Sequence, residues 1–178
     1  KAVRDFQNTA VEIEKSPAKK IVVDLRNNPG GYLEIARYIG GWFLERGQVI
    51  VVEDFAAEGK KQEYLSQGPS RLLSLPVVVL MNEGSASASE ILAGALRDNR
   101  GAKLIGIKSF GKGSVQELQN LRDGSSLKIT VANWLTPKGT LINGQGLEPD
   151  VKVEASEQDL EQGKDTQLDK AIEIAKGL

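Results

Sequence analysis

Val77-Val78-Val79-Leu80-Met81-Asn82-Glu83-Gly84-Ser85-Ala86-Ser87-Ala88-Ser89-Glu90-Ile91-Leu92 takes the chain from one kind of backbone to another. Its first five residues are apolar without alternation and bounded by breakers, the pattern of a strand buried on both faces. From residue 87 to 97 the apolar positions Ile91, Leu92, Ala95 and Leu96 fall along one side of a helix. Ser87-Ala88-Ser89-Glu90 fits a capping box, in which the serine caps the helix and the glutamate reaches back to the serine N–H. A buried strand feeding a capped helix is the unit from which layered α/β folds are built.

The flanking sequence extends the pattern. Val3, Phe6, Ala10, Val11 and Ile13 predict a helix over residues 1–15, ended by Ser16-Pro17. Residues 20–25 predict a short buried strand, and Asn27-Asn28-Pro29-Gly30-Gly31 breaks the chain before a second helix. That helix begins at Leu33, and either stops at Gly40-Gly41 or runs on to Leu44. Residues 48–52 and 103–107 predict strands, and 115–134 predict two strands around the turn Asp123-Gly124. Residues 54–72 are mostly polar and show neither period. After residue 153 the chain turns acidic, and a last helix is expected over 166–175. The fold class is α/β, a mixed central sheet flanked by helices, and residues 1–178 are expected to form one domain.

Composition excludes several classes of function. The 178 residues include no histidine and no cysteine, so a Ser-His-Asp triad, a cysteine nucleophile and a His- or Cys-based zinc site are all ruled out. Charged residues make up 26% and nearly cancel, with a formal net charge of −1, leaving no broad basic field for nucleic acid. The longest apolar run, residues 75–81, is far too short to span a bilayer. The chain opens on Lys1 with no signal-peptide pattern. Within such a composition a lysine is the natural base for nucleophilic catalysis.

Three segments carry that chemistry. A serine hydroxyl at a helix N-terminus sits among free backbone N–H groups that stabilise developing negative charge. Ser85, Ser87 and Ser89 all meet this description, and spacing alone does not choose among them. The glycines of residues 27–31 suit an ordinary tight connection, and equally a loop whose N–H groups approach a substrate carbonyl. Phe110-Gly111-Lys112-Gly113 is the third: Gly106 with Gly111-Lys112 looks like a P-loop, but Gly113 stands where Ser or Thr is required and strand, not helix, follows. Ser109-Phe110-Gly111-Lys112 matches Ser-x-x-Lys, yet glycines on both sides of Lys112 argue against the helix that motif needs.

Taken together, these segments resemble the C-terminal processing peptidases, tail-specific serine peptidases with a Ser/Lys dyad. The matching stretches are Val23-Asp24-Leu25-Arg26-Asn27-Asn28-Pro29-Gly30-Gly31, residues 82–96, Phe110-Gly111-Lys112-Gly113 with Gln116, and Thr136-Pro137-Lys138-Gly139 leading to Gly146-Leu147-Glu148-Pro149-Asp150. The resemblance implies Ser87 as nucleophile, Lys112 as general base and Gln116 as the residue orienting the lysine. It implies an oxyanion hole from the Ala88 N–H and a glycine N–H of Gly30 or Gly31, on a crotonase/Clp-protease-like core. It also implies a protein or peptide substrate, no metal or cofactor, and an extracytoplasmic setting. Family members usually carry a PDZ domain, and no segment here resembles one. A catalytically inactive interaction domain of the same fold and a crotonase-like acyl-thioester enzyme are the other classes to weigh.

Overall fold

In chain order the elements are α1 (Ala2–Lys15), β1 (Ile21–Asp24), α2 (Leu33–Phe43), β2 (Val49–Phe55), β3 (Lys60–Leu65), β4 (Val77–Met81), α3 (Ala88–Arg100), β5 (Lys103–Gly106), β6 (Ser114–Asn120), β7 (Ser126–Leu135), β8 (Val151–Lys152) and α4 (Thr166–Gly177). The computed structural model describes residues 2–55, 58–154, 159 and 162–178, so Lys1, the first residue of the expected opening helix, lies outside the described residues. The α/β class is as expected. Its two kinds of strand pairing are divided between two sheets: a parallel one ordered β1-β4-β5-β8, and an antiparallel one ordered β3-β2-β7-β6.

The unbroken apolar run of β4 explains the layering. Successive strand residues point to opposite faces. Val77, Val79 and Met81 enter the larger core with Trp42 and Phe43 of α2 and Ile91 and Leu92 of α3. Val78 and Leu80 enter a smaller core with Ile105 and with Ala171 and Ala175 of α4. Both faces of the parallel sheet are therefore covered, and each fully buried aliphatic side chain stabilises the fold by about 1.5–3 kcal/mol.

The structure decides between the two ends left open for the second helix, and extends or adds elements elsewhere for identifiable reasons. Helix α2 runs through Gly40 and Gly41 to Phe43, with Leu44 as its C-cap. The two glycines serve close approach rather than termination. A Cβ on Gly40 would lie 2.7 Å from Ile50 Cδ1, and the backbone of Gly41 lies directly against that of Gly68. Helix α3 continues to Arg100 because Gly101 (φ 67°) supplies the left-handed cap there. Strand β3 lies inside the polar stretch; among the described residues it is an edge strand paired only with β2, and most of its side chains are exposed.

One consequence of the topology places the site. Strands β1, β4 and β5 are parallel neighbours, so their carboxyl ends share one edge of the sheet. The loops leaving that edge are residues 25–32, 82–87 and 107–113. Open parallel sheets place binding crevices at such an edge.

Candidate active site

The three rival serines have separate environments. The Ser85 hydroxyl is buried (1% exposed), donates to the Leu25 carbonyl (2.8 Å) and accepts from the Asn82 N–H (2.9 Å). The Ser89 hydroxyl, 3% exposed, donates to the Asn28 carbonyl at 3.0 Å. Ser85 ties the loop after β4, and Ser89 the first turn of α3, to the loop after β1. Ser87, the N-cap of α3, is half-buried, and its hydroxyl donates to nothing among the described residues. Its backbone adopts φ 56° and ψ −119°, a region that L side chains avoid. The capping box read in the sequence is present, and the Ser87 N–H donates to Glu90 Oε2 at 2.8 Å.

The glycine loop lies directly against this turn. A Cβ on Gly30 (φ 90°) would meet the Ala86 carbonyl oxygen, and would lie 2.7 Å from the Ala88 nitrogen and 2.9 Å from Ser87 Cβ. Only glycine permits that approach. The loop is sewn down by the Asn28 carbonyl, which accepts from the Ala86 N–H at 3.0 Å, and by paired amides. Asn82 Oδ1 accepts from the Asn27 N–H (2.8 Å), and Asn82 Nδ2 donates to Asn27 Oδ1 (3.0 Å). The Gly30 N–H is occupied, donating to Asn28 Oδ1 at 3.0 Å. The Gly31 and Ala88 N–H groups have no partner among the described residues. Beside them opens a cavity of about 240 Å³ walled by Leu25, Ile35, Ala36, Ile39 and Leu92.

Behind β1, Arg26 fixes the start of the same loop. Its guanidinium pairs with Asp24 (2.7 Å) and Asp165 (2.7 Å), and Asp165 also caps α4 by accepting from the Leu168 N–H (2.9 Å). The hydrogen bond from Arg26 holds the Asp165 carboxyl below its ordinary value, and bonds to Asp165 and Asp24 raise the guanidinium.

The third loop reaches the site through Glu90. This carboxylate is 1% exposed, and its Oε2 accepts from both the Ser87 N–H (2.8 Å) and the Lys112 N–H (2.9 Å). Oε1 accepts from the Gly111 N–H (2.7 Å) and the Ser109 hydroxyl (2.6 Å). The backbones of Ser87 and Lys112 are thus joined through one oxygen atom. The side chains are not joined: Lys112 is exposed, and its ammonium has no hydrogen bond or ion pair among the described residues. Gln116 is also exposed on β6; its amide donates to Thr130 Oγ1 across the ladder at 3.5 Å and does not engage Lys112. The capping box in the sequence pointed to Glu90 only as the partner of Ser87. Its bonds to residues 109, 111 and 112 cross a separation that no spacing rule spans.

A family model described as "Peptidase family S41" matches residues 1–153. The chain belongs to peptidase family S41. A probable CtpA-like serine protease of Staphylococcus aureus (strain bovine RF122 / ET3-1) is 39% identical over 150 residues, covering 84% of this chain and 30% of the relative. The Staphylococcus haemolyticus (strain JCSC1435) protein of the same description is 39% identical over 149 residues, with the same coverage. Among solved structures, a photosystem II D1 C-terminal processing protease superposes with a TM-score of 0.78 at 37% identity, covering 85% of this chain and 38% of that one. The chain therefore spans about a third of the length of these S41 relatives.

Proposed function

We propose that this S41 chain is the catalytic core of a serine endopeptidase of the C-terminal processing type, with Ser87 as nucleophile and Lys112 as general base. The observation that carries the reading is that the Ser87 hydroxyl proton is unengaged. Of three clustered serines it alone has a hydroxyl with no acceptor among the described residues, on a strained backbone, beside two N–H groups without a partner among those residues. In the proposed reaction Ser87 Oγ attacks the peptide carbonyl carbon as its proton passes to Lys112 Nζ. The Ala88 and Gly31 N–H groups receive the oxyanion; the engagement of the Gly30 N–H with Asn28 favours Gly31 over Gly30 as the second donor. Lys112 then protonates the leaving amine, and water hydrolyses the acyl-enzyme.

A lysine base must be neutral, and desolvation is what favours its neutral form. In the open site Lys112 faces solvent, so a substrate lying across the three loops is assigned the task of covering it. Gln116 would then turn from Thr130 to orient the amine. The exposure of Lys112 is also the observation on the side of the alternative, a domain of this fold that does not catalyse. The cavity beside Gly31 fits an apolar side chain on the acyl side of the cleaved bond. The favoured substrate is an unstructured polypeptide, processed at its C-terminus or degraded, in an extracytoplasmic compartment. Among the described residues no helix is long and apolar enough to cross a membrane.

Labelling by a serine-reactive fluorophosphonate, together with cleavage of a denatured protein, tests the reading. Labelling at Ser87, cleavage after apolar residues, and loss of both in Ser87→Ala and Lys112→Arg are expected, with activity down about a thousandfold or more. A folded Ser87→Ala protein with unchanged turnover removes the proposal. A native chain that neither labels nor cleaves supports the non-catalytic alternative.

A further inference from the structure

We infer that Glu90 is a positioning residue that sets the distance between nucleophile and base, and so does more than cap a helix. The inference rests on the Ser87/Lys112 reading above. A capping-box glutamate has one duty, to accept the N–H of the N-cap residue. Glu90 does this for Ser87 and then accepts three more hydrogen bonds, all from residues 109–112 of a loop that belongs to another strand. An ionised carboxylate has about four acceptor sites, and four donors converge on this one. The side chain is almost wholly buried, so these partners are not exchanged for water.

The geometry has a direct consequence for catalysis. Oε2 touches the amide of Ser87 and the amide of Lys112. A shift of the 109–112 loop relative to α3 therefore has to break a charge-assisted hydrogen bond in a buried place. The same bond to Ser87 helps hold the strained turn that presents the hydroxyl. Ser109 extends the brace, since its hydroxyl donates to Oε1 and accepts from the Leu147 N–H at 2.7 Å. Lysine has four rotatable bonds from backbone to amine, and pinning its backbone N–H removes the freedom of the loop while leaving the amine to swing onto a bound substrate.

Glu90→Gln keeps the size of the side chain and replaces one oxygen by an NH₂ group, which faces at least one N–H donor and cannot accept from it. In the whole chain this variant is expected to lower kcat on a denatured protein about a hundredfold with KM within about twofold. The basic limb of its pH–rate curve is expected to move by about half a unit or more, because the base has been displaced. Simple loss of folded protein would scale the curve without moving it. In the unmutated chain the Gly111 and Lys112 amides are expected to exchange with deuterium at least about tenfold more slowly than exposed loop amides. Where Glu90→Gln does not fold, Ser109→Ala takes its place, with about a three- to tenfold fall in kcat and the same movement of the limb. A Glu90→Gln, or failing it Ser109→Ala, with native kcat and pH profile overturns the inference while Ser87→Ala is inactive. Free exchange of the Gly111 and Lys112 amides overturns it in a protein of any activity. Native turnover in Ser87→Ala is the separate result that removes the reading beneath it.

Discussion

The two sheets of this molecule have four strands each and are opposite in character. In the parallel sheet all five residues of β4 are buried, and helices cover both faces. In the antiparallel sheet the outer part of the β6–β7 hairpin has no cover among the described residues: Leu118 is 65% exposed and Leu127 51%. The proposed machinery straddles this divide. Ser87, the glycine loop and Glu90 stand on the buried sheet and its helix, whereas Gln116 stands on the exposed hairpin and Lys112 in the loop that leads to it. On that proposal the nucleophile and the oxyanion donors have rigid support, while the side chains of Lys112 and Gln116 keep the freedom to move onto a substrate.

The sharpest way to break this comparison is to cut the same side chain from each region. Leu80→Ala removes a fully buried residue of β4 and is expected to cost about 2–5 kcal/mol in denaturant unfolding. Leu118→Ala on the hairpin is expected to stay within about 0.5 kcal/mol of the native chain. Equal losses would mean that the hairpin is covered in solution. Next is Gln116→Ala, expected to lower kcat about tenfold with little change in melting temperature, a smaller loss than for Lys112→Ala because Gln116 acts through the lysine. A native rate would leave the hairpin with no part in the reaction.

The smallest effect concerns Asp165, which pins α4 to the loop after β1. Its carboxyl is partly exposed, so Asp165→Asn is expected to cost only about 1 kcal/mol or less at neutral pH. Arg26 lowers its native value, so the stabilisation is whole above the ordinary carboxylate value of about 3.9 and fades as the pH falls through the lowered one. Unfolding of the native and variant chains, compared at pH 7 and near pH 2, checks this. A gap that widens in acid contradicts it.

The sequence was informative where local pattern and burial agree. Val77–Met81, helix α3 and its serine cap, and the Asp123-Gly124 hairpin follow directly from apolar period and turn chemistry. It was silent where a residue's meaning depends on a distant neighbour. Gly40-Gly41 resembles a helix stop until Ile50 and Gly68 are found pressed against it. Strand β3 is polar because an edge strand faces water, and β8 is only two residues held by β5. At the site the serine cluster was legible as a cluster. The choice among its members required the partners of Ser85 and Ser89, which lie about sixty residues away in the loop after β1.

The backbone of Ser87 carries a wider implication. Its dihedrals belong to glycine, and a residue with a side chain held there costs about 1–3 kcal/mol. A glycine at this position would relieve the strain, losing only part of the gain to the larger entropy of its unfolded chain. Selection for stability alone therefore pulls this position away from serine. The proposed role of Ser87 as nucleophile supplies a second demand that opposes the first, and a Ser87→Gly form is expected to be a sturdier molecule without the hydroxyl that role needs.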